Sequence, residues 1–436
     1  KGTSWTSISS DLPEKGAVYT LRQDHIDPNI LFAGTEYGVF VTTDGGKKWV
    51  QIKGGLPTIA IRDMEIQERE NDLVLASFGR GFYILDNYAP LRHMADTTGK
   101  DAHILPIKDA LIFNQTNPLG TRGKSSQGEA FFTTDNPPIG AVITYYLGDN
   151  MKTIQDERRA AEKKARKDGG DVVYPDLDKL RAEDLEQKPY LLFEIKDADG
   201  NVVNRYTEKG KKGLNQSVWN YRMEPTSPVQ LKERDAGRYG SPDWGALVLP
   251  GDYTVTIHKL HRGELTQLAG PESFTVKRLH DTQISPADHN AWTDFIAELN
   301  DTRRNVRSTS GKVGELKKQL DYMEKAVLQT PEAKAEWLSE IEALKRDIAE
   351  IETALYGDRT RSKREMESYP GLQSRVETIV YNVYNHTEAP TTFERQSLSA
   401  AQDEYEAVLP KVDDLDAKAQ GLYTRLKAAG APYFPE

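Results

Sequence analysis

Short runs of alternating apolar and polar residues dominate the first two thirds of the chain, whereas apolar residues three and four positions apart dominate the last third. Leu31 to Trp49 reads as an apolar run, a turn and a second apolar run, which predicts a β-hairpin. Tyr253, Val255 and Ile257 fall on one face of another strand. We therefore predict antiparallel sheets followed by helices.

A recognisable motif spans the turn before Trp49. Residues 42–49 follow the pattern Ser/Thr-x-Asp-x-Gly-x-x-Trp, which is called an Asp-box. The Asp44 carboxylate can accept hydrogen bonds from backbone N–H groups of the turn, Gly46 permits positive φ, and Trp49 anchors the return strand. We predict no catalytic, cofactor-binding or metal-binding residue, and a structural Asp-box site formed by Thr42, Asp44, Gly46 and Trp49.

The Asp-box hairpin belongs to a repeat. Trp5–Ile8 matches Trp49–Ile52 at a spacing of 44 residues, and Leu31–Gly34 matches Val74–Ser77 at a spacing of 43. A period near 44 with about four short strands per unit is typical of β-propeller blades. In the last copy Asp86-Asn87 stands where the Asp-box is expected, as in a terminal repeat.

These motifs resemble the end of the sortilin-like BNR-repeat propellers of large exported bacterial proteins, which are often labelled glycosyl hydrolase. The resemblance implies that residues 1–95 are the last blades of a β-propeller. It also implies a bacterial protein exported to the periplasm, the outer cell surface or the medium. It covers most of the chain, through the Asp-box, residues 78–87, Asn136–Ala141, Gly213–Asn215 with Trp219, and Pro250–Tyr253.

The number of blades in this sequence raises a physical conflict. About two blades cannot close a propeller, because open blades leave sheet edges and apolar faces in water. Lys1–Trp5 also reads as the second half of an Asp-box. We therefore expect the missing propeller portion to lie on the same polypeptide or on a companion fragment.

Residues 104–280 are predicted to form an immunoglobulin-like or FlgD-like β-sandwich. Their strand-like runs, such as Ala141–Leu147 and Tyr190–Ile195, are separated by turns rich in Gly, Pro and Ser. Residues 151–187 interrupt these runs with a strongly charged segment. This segment predicts an exposed helical insertion in the sandwich.

Residues 285–436 are predicted to form an antiparallel helical bundle. Ser285-Pro286 is expected to open the first helix, and Thr330-Pro331 to end it and start a second. A shorter helix is expected over about Gly371–Asn385, and a capping box of Thr391 and Glu394 before a last helix kinked near Pro410. The apolar seams comprise Trp292, Phe295, Leu299, Thr302, Val306, Thr309, Val313, Leu316, Leu320, Met323 and Val327, then Trp337, Ile341, Leu344, Ile348, Ile351 and Leu355, and finally Leu398, Ala401, Tyr405, Val408, Val412, Leu415, Ala419, Leu422 and Leu426.

Composition narrows the classes of function. The net charge of −10 and the lack of a basic block argue against nucleic acid as the main partner. The chain has no cysteine, which excludes disulfides, thiolate catalysis and cysteine–zinc sites. No run of about 18 apolar residues occurs, so we predict no membrane span.

Sialidases are the enzymes best known for Asp-boxes. Their chemistry uses an arginine cluster, a tyrosine nucleophile with a glutamate partner, and an aspartic acid or base. The sequence contains no Arg-Ile-Pro element that would resemble their arginine motif, and Asp44 is expected in a peripheral turn. Catalysis by residues of this chain is not predicted, although a site in the missing blades stays open.

Two further segments resemble ligand sites only superficially. Gly120–Ser125 suggests a phosphate loop, but the spacing fails because Pro118 stands where the motif needs a glycine. His258 and His261 are three residues apart at the end of a strand, so we expect them on opposite faces as solvated histidines. Neither segment predicts a cofactor.

One set of oxygen ligands has the spacing of a calcium loop. Asp197, Asp199 and Asn201 alternate, and Glu208 occupies the twelfth position. Val202 stands at the sixth position, where a calcium loop needs glycine for its sharp turn. A hairpin turn is therefore favoured, and calcium binding stays an alternative.

Aromatic residues in the middle of the chain fit either a sugar-binding platform or a buried core. Their alternation along strands favours a core. The residues concerned are Tyr145, Tyr146, Trp219, Tyr221, Trp244 and Tyr253.

Two classes of function fit these observations, with a weaker third. The first is a non-catalytic interaction protein at the cell surface or secreted, whose propeller binds a protein or peptide, as the sortilin-like resemblance implies. The second is a glycoside hydrolase or carbohydrate-binding protein whose site lies in the missing blades. The third is an assembly subunit that uses its helical seams to join other chains.

Overall fold

The chain contains both antiparallel sheets and helices, arranged in two compact units. A computed structural model describes residues 2–9, 11–113, 136–229, 231, 244–280 and 282–435. The β-rich unit is formed by Lys1–Asn220 and Pro250–Leu279, and the helical unit by Tyr221–Leu249 and His280–Glu436. Within the described residues, no helix has the length and apolar character needed to cross a membrane.

The β-rich unit begins with two antiparallel sheets in which sequential strands are neighbours. The first sheet has four strands, and β5, β6 and β7 form a second sheet of three. The first sheet has the four strands per repeat that the sequence predicted, whereas the second has one fewer. The strands are β1 (Val18–Gln23), β2 (Leu31–Thr35), β3 (Gly38–Thr42), β4 (Val50–Ile52), β5 (Ile61–Gln67), β6 (Asp72–Ser77) and β7 (Phe82–Leu85).

An apolar core lies between these two sheets. Phe32, Val39 and Val41 of the first sheet form one cluster with Met64 and Leu75 of the second. The opposite face of the first sheet has its own smaller cluster, in which Leu12 packs on Leu31, Ala33, Phe40 and Trp49. The two central strands of the first sheet, β2 and β3, are therefore buried on both faces.

Two further sheets complete the β-rich unit. One has the strand order β13-β10-β8, and the other has the order β12-β11-β14-β15-β9. The charged segment forms two helices, α1 (Ile154–Lys167) and α2 (Leu177–Leu185), as predicted. The strands are β8 (Ala102–Ile104), β9 (Ala110–Ile112), β10 (Ala141–Leu147), β11 (Tyr190–Asp197), β12 (Val202–Glu208), β13 (Gly213–Trp219), β14 (Gly251–His261) and β15 (Glu264–Arg278).

Aromatic residues form much of the core of these sheets. Trp219 lies with its ring centroid 5.4 Å from that of Tyr253, and Tyr145 lies 5.4 Å from Phe193 in an edge-to-face arrangement. The expectation of a buried core is confirmed for Tyr145, Trp219 and Tyr253, and Tyr221 is buried as well. It is wrong for Trp244, which is 48% exposed and belongs to the helical unit.

The segment Tyr221–Leu249 groups with the helices, although the sequence suggested that it was part of the sandwich. Its two described ends are paired, because Met223 N–H donates to Ala246 O and Val248 N–H donates to Tyr221 O. Ala246 is fully buried in the helical core. Alternating apolar residues in such a segment predict burial but not the element on which it packs.

Over its described residues, the helical unit contains two long helices and three shorter ones. The cap predicted at Ser285 and the capping box predicted at Thr391 are both present, and the Ser285 cap forms a capping box with Asp288 that was not predicted. The second helix begins at Glu336 and not at Pro331, and the last helix continues through Pro410. The helices are α3 (Pro286–Gln329), α4 (Glu336–Tyr356), α5 (Arg359–Ser362), α6 (Leu372–Val383) and α7 (Thr392–Ala428).

The predicted seams are the buried faces of these helices. Every seam residue of α3 is buried, and so are those of α4 and α7 except Trp337 and Tyr405, which are partly buried. Each fully buried Leu or Ile contributes about 1.5–3 kcal/mol. The seams are therefore the main source of stability in this unit.

Side-chain pairs show that α4 and α6 pack one after the other along α3, in the place that a single long helix could occupy. Residues 317–324 of α3 pair with residues 345–352 of α4 in reverse order. Arg303 of α3 pairs with Glu377 of α6, and Asn300 pairs with Tyr384, the residue that follows α6, again in reverse order. Both short helices thus run antiparallel to α3 along successive parts of its length.

The interruption between α4 and α6 is a loop whose ends touch. Gly357 ends α4 with φ of 84°, and Gly371 precedes α6. A Cβ added to Gly371 would lie 2.5 Å from Tyr356 C and 2.7 Å from Leu355 O. The two backbones cross at a distance that only glycine allows. Residues 358–370 therefore form a closed loop of the Ω type.

Candidate interaction face

The second sheet of the β-rich unit exposes large apolar side chains on the face opposite its core. Phe82 is 76% exposed and Ile84 is 60% exposed, and both lie on β7 at the edge of the sheet. Val74 and Ala76 of β6 are their cross-strand neighbours. We call these four residues the open face.

The strand register shows what the open face corresponds to in the first sheet. In the second sheet Ala76 pairs with Phe82 and Val74 with Ile84. At the repeat spacing of 43 residues, Phe82 and Ile84 correspond to Val39 and Val41 of the first sheet, which pair with Gly34 and Phe32. Val39 is 0% and Val41 8% exposed, because this face of the first sheet is covered by the second sheet. The exposed side chains of Phe82 and Ile84 thus occupy repeat positions whose side chains are buried one repeat earlier.

The predicted Asp-box residues lie together in a closed turn. Asp44 Oδ1 accepts the N–H groups of Lys47 and Lys48, each at 3.0 Å, and the hydroxyl of Thr42 at 2.8 Å. Thr42 Oγ1 in turn accepts Gly46 N–H at 3.0 Å. The backbone N–H of Lys48 and the Thr42 hydroxyl hold the pKa of the Asp44 carboxyl below its ordinary value. One oxygen of this carboxylate is therefore held by its own turn.

Trp49 connects the Asp-box turn to residues 8–12 by hydrogen bonds and packing. Its backbone N–H donates to Asp11 Oδ1 at 2.8 Å, and its indole N–H donates to Ile8 O at 2.6 Å. The ring is buried against Leu12. These contacts support a structural role for the Asp-box, in line with the geometry of its carboxylate.

Thr42→Val is expected to lower the free energy of unfolding of the β-rich unit by about 1–2 kcal/mol, because the buried Gly46 N–H loses its acceptor while the shape is kept. The matched control is Thr58→Val at an exposed position, expected to stay within about 0.5 kcal/mol. Hydrogen exchange of residues 42–52 in urea measures both. Equal effects of the two substitutions would contradict the structural role of Thr42.

A buried ionic cluster, which no sequence motif indicated, lies beside the first sheet. Asp24 accepts two hydrogen bonds from Arg92, at 2.6 and 2.7 Å, and one from the Tyr88 hydroxyl at 2.6 Å. Arg92 also donates to Asn71 Oδ1 at 2.7 Å. The Asp24 side chain is 0% exposed and the Arg92 side chain 12%.

The cluster shifts the ionisation of its members in opposite directions. Burial opposes ionisation of Asp24, but the hydrogen bonds from Arg92 and Tyr88 outweigh it and hold the pKa of that carboxyl well below its ordinary value. Burial, and then the hydrogen bond to Asp24, raises the pKa of the Tyr88 hydroxyl. All three polar groups are engaged with one another, an arrangement that stabilises the fold and leaves no group directed at a substrate.

The segment with calcium-loop spacing forms a hairpin turn between β11 and β12, as the sequence favoured. Asp197 Oδ1 accepts the N–H of Asn201 at 2.8 Å, and Asp197 O accepts the N–H of Gly200 at 3.1 Å. No group of three or more metal-ligating side chains is present in the described part of the chain. His261 Nε2 lies 2.9 Å from Lys152 O. Gly120–Ser125 lies outside the described residues.

Comparison with known proteins identifies no family. No protein-family model matches the chain, and no curated protein matches it. Two solved structures with some similarity are of the extracellular domain of BT4673 from B. thetaiotaomicron, described as part of a one-component system in one and of a hybrid two-component system in the other. Their identities are 13% and 11%, and their TM-scores 0.13 and 0.15. Each covers 61% of this chain, which spans about a quarter of their length, 25% and 26%.

Proposed function

We propose that this chain is a non-catalytic interaction protein, exported by a bacterium, whose open face binds an apolar β-sheet of a partner protein. In this proposal the two repeat sheets are terminal blades of a sortilin-like BNR propeller. The partner sheet belongs to further blades, carried by a longer form of the polypeptide or by a companion chain. The observation that carries the proposal is the exposure of Phe82 and Ile84 at places that are buried in the preceding repeat.

The chemistry of the face supports a β-sheet as the partner. β7 is an edge strand, so its outer backbone groups are positioned to pair with another strand. Phe82 and Ile84 alternate with the inward Tyr83 and Leu85. A partner strand with the same period of two would place its own apolar residues against them. Large exposed apolar patches on otherwise polar proteins mark such interaction sites.

The open face can be tested with a displayed library of β-hairpin peptides that have alternating apolar residues. Saturable binding is expected for the intact chain. Phe82→Asp with Ile84→Asp is expected to weaken it at least tenfold, since burying one such side chain contributes about 1.5–3 kcal/mol. Val173→Asp changes an equally exposed residue of the α1–α2 loop and is the matched control. Binding that survives the double substitution would refute this face as the site.

The hydrolase alternative is tested on the same protein. Fluorogenic sialosides and a glycan array report turnover and carbohydrate binding directly. We expect neither with the chain alone, because Asp24 is buried and accepts from Arg92 on both oxygens, and Asp44 Oδ1 is held by the backbone of its own turn. Turnover of any glycan that is lost on substitution of either aspartate would replace the interaction proposal with an enzymatic one.

A further inference from the structure

The helical unit contains a cleft that the interaction proposal does not use. Its volume is about 900 Å³, and it lies between the Ω-type loop 358–370 and residues 404–411 of α7. The buried side chains of Leu372 and Val408 contribute to its lining. Pockets of about 300–1,000 Å³ are the usual size for small organic ligands. The cleft exists because the helix opposite α7 is interrupted at this level.

The loop wall of the cleft is held in place by its own hydrogen bonds. Arg361 Nε donates to Glu367 O at 2.8 Å, and Met366 N–H donates to Arg361 O at 3.0 Å. Asp358 accepts the N–H groups of Thr360 and Arg361 at 2.8 and 3.1 Å. The crossing of Gly357 and Gly371 closes the loop at its base. The wall is therefore formed before any ligand arrives, which reduces the entropy cost of binding.

Charged groups of both signs surround the apolar lining. Arg361 and Lys411 provide positive charge on opposite sides, one on the loop and one on α7. Glu367 provides negative charge on the loop, whereas Glu404 is paired with Arg375 at 2.9 Å. Tyr369 is exposed beside them and presents an aromatic ring. The cleft thus combines an apolar floor, a ring for stacking and both signs of charge.

We propose that this cleft binds a zwitterion with an aromatic or large aliphatic body, namely a free amino acid or the terminal residue of a short peptide. The apolar body lies over Leu372 and Val408. The carboxylate of the ligand faces Lys411 and Arg361, and its ammonium group faces Glu367. A purely cationic or purely anionic ligand is complementary to only one of the two signs of charge around the cleft.

The proposal can be tested with indole compounds that share the same apolar ring but differ in their charged groups. Calorimetric titration of the full chain with tryptophan is expected to show saturable binding, at least fivefold tighter than with tryptamine or with indole-3-acetate. Ala-Trp compared with tryptophan distinguishes a peptide terminus from a free amino acid as the preferred source. No saturation with either zwitterion, or equal affinity for all four compounds, would overturn the proposal.

Substitutions on α7 locate the binding. Ala407→Phe fills the cleft from its helix wall and is expected to abolish tryptophan binding, while Ala417→Phe, at another exposed position of the same helix, leaves it unchanged. Lys411→Gln is expected to weaken tryptophan binding at least fivefold and to leave tryptamine binding unaltered. Circular dichroism confirms that each variant keeps its helices. Tryptophan binding that persists in folded Ala407→Phe would exclude this cleft.

Discussion

Asp24→Ala is expected to destabilise the β-rich unit by about 3–5 kcal/mol, because it leaves the guanidinium of Arg92 buried without its carboxylate. The expected loss of stability is larger than the net contribution of the ion pair, because most of it comes from leaving a buried charge without its counter-charge. Hydrogen exchange of β2 and β3 in increasing urea measures it within this unit alone. Asp63→Ala removes an exposed carboxylate that pairs with Arg22 at 3.1 Å, and it is expected to cost no more than about 1 kcal/mol.

The same cluster predicts how stability depends on pH. The folded-state pKa of Asp24 is lowered, so the folded state binds fewer protons at this site than the unfolded state does. Its contribution is complete above the unfolded pKa of about 3.9 and disappears as the pH falls through the folded pKa. The difference between the intact chain and Asp24→Ala should therefore be constant from pH 7 to 5 and shrink below about pH 4. A difference that grew on acidification would show that the carboxylate is not stabilised by Arg92.

Gly371→Ala is expected to destabilise the helical unit by about 3 kcal/mol, at the upper end of the usual cost of overpacking. The added Cβ would meet backbone atoms of Tyr356 and Leu355, which cannot move aside as a flexible side chain can. The φ of Gly371 is −69°, so the cost is steric and not conformational. Urea unfolding followed by far-ultraviolet circular dichroism at helical wavelengths measures the change.

The matched control for Gly371→Ala is expected to change the stability of the helical unit in the opposite direction. Gly311 lies inside α3, and no atom lies within 4 Å of the place that an added Cβ would occupy there. Gly311→Ala should therefore stabilise the same unit by about 0.5–1 kcal/mol, which is the difference in helix propensity. If both substitutions lowered the free energy of unfolding, the close crossing of the two backbones at Gly371 would not be the cause of the destabilisation.

The parts of the fold that depend on neighbouring residues in the sequence were predictable. The seams of α3, α4 and α7 follow from spacing alone, because a helix places residues three and four apart on one face. The cap at Ser285 and the capping box at Thr391 follow from short local motifs. The hairpin at Asp197 follows in the same way from its turn residues. In each case the deciding interactions lie within a few residues of one another.

The parts that depend on distant residues were not predictable. The seam of α4 shows that one face is buried, but not that α4 and α6 pack in succession along α3. Asp24 and Arg92 are 68 residues apart and belong to no common motif. The alternation of Phe82 and Ile84 predicts a strand, but which of its faces is covered depends on the sheet beside it. The candidate site therefore had to come from the register of the strands.

The loop between α4 and α6 leaves and re-enters the helical unit at one point, where Gly357 and Gly371 touch. A segment with adjoining ends can change in length at a cost that grows only with the logarithm of its size. Residues 358–370 can therefore be exchanged, extended or replaced by a foreign sequence without altering the distance that the two helices must span. The bundle then acts as a constant frame for a variable segment, which makes this loop the natural place to insert a reporter or to diversify recognition.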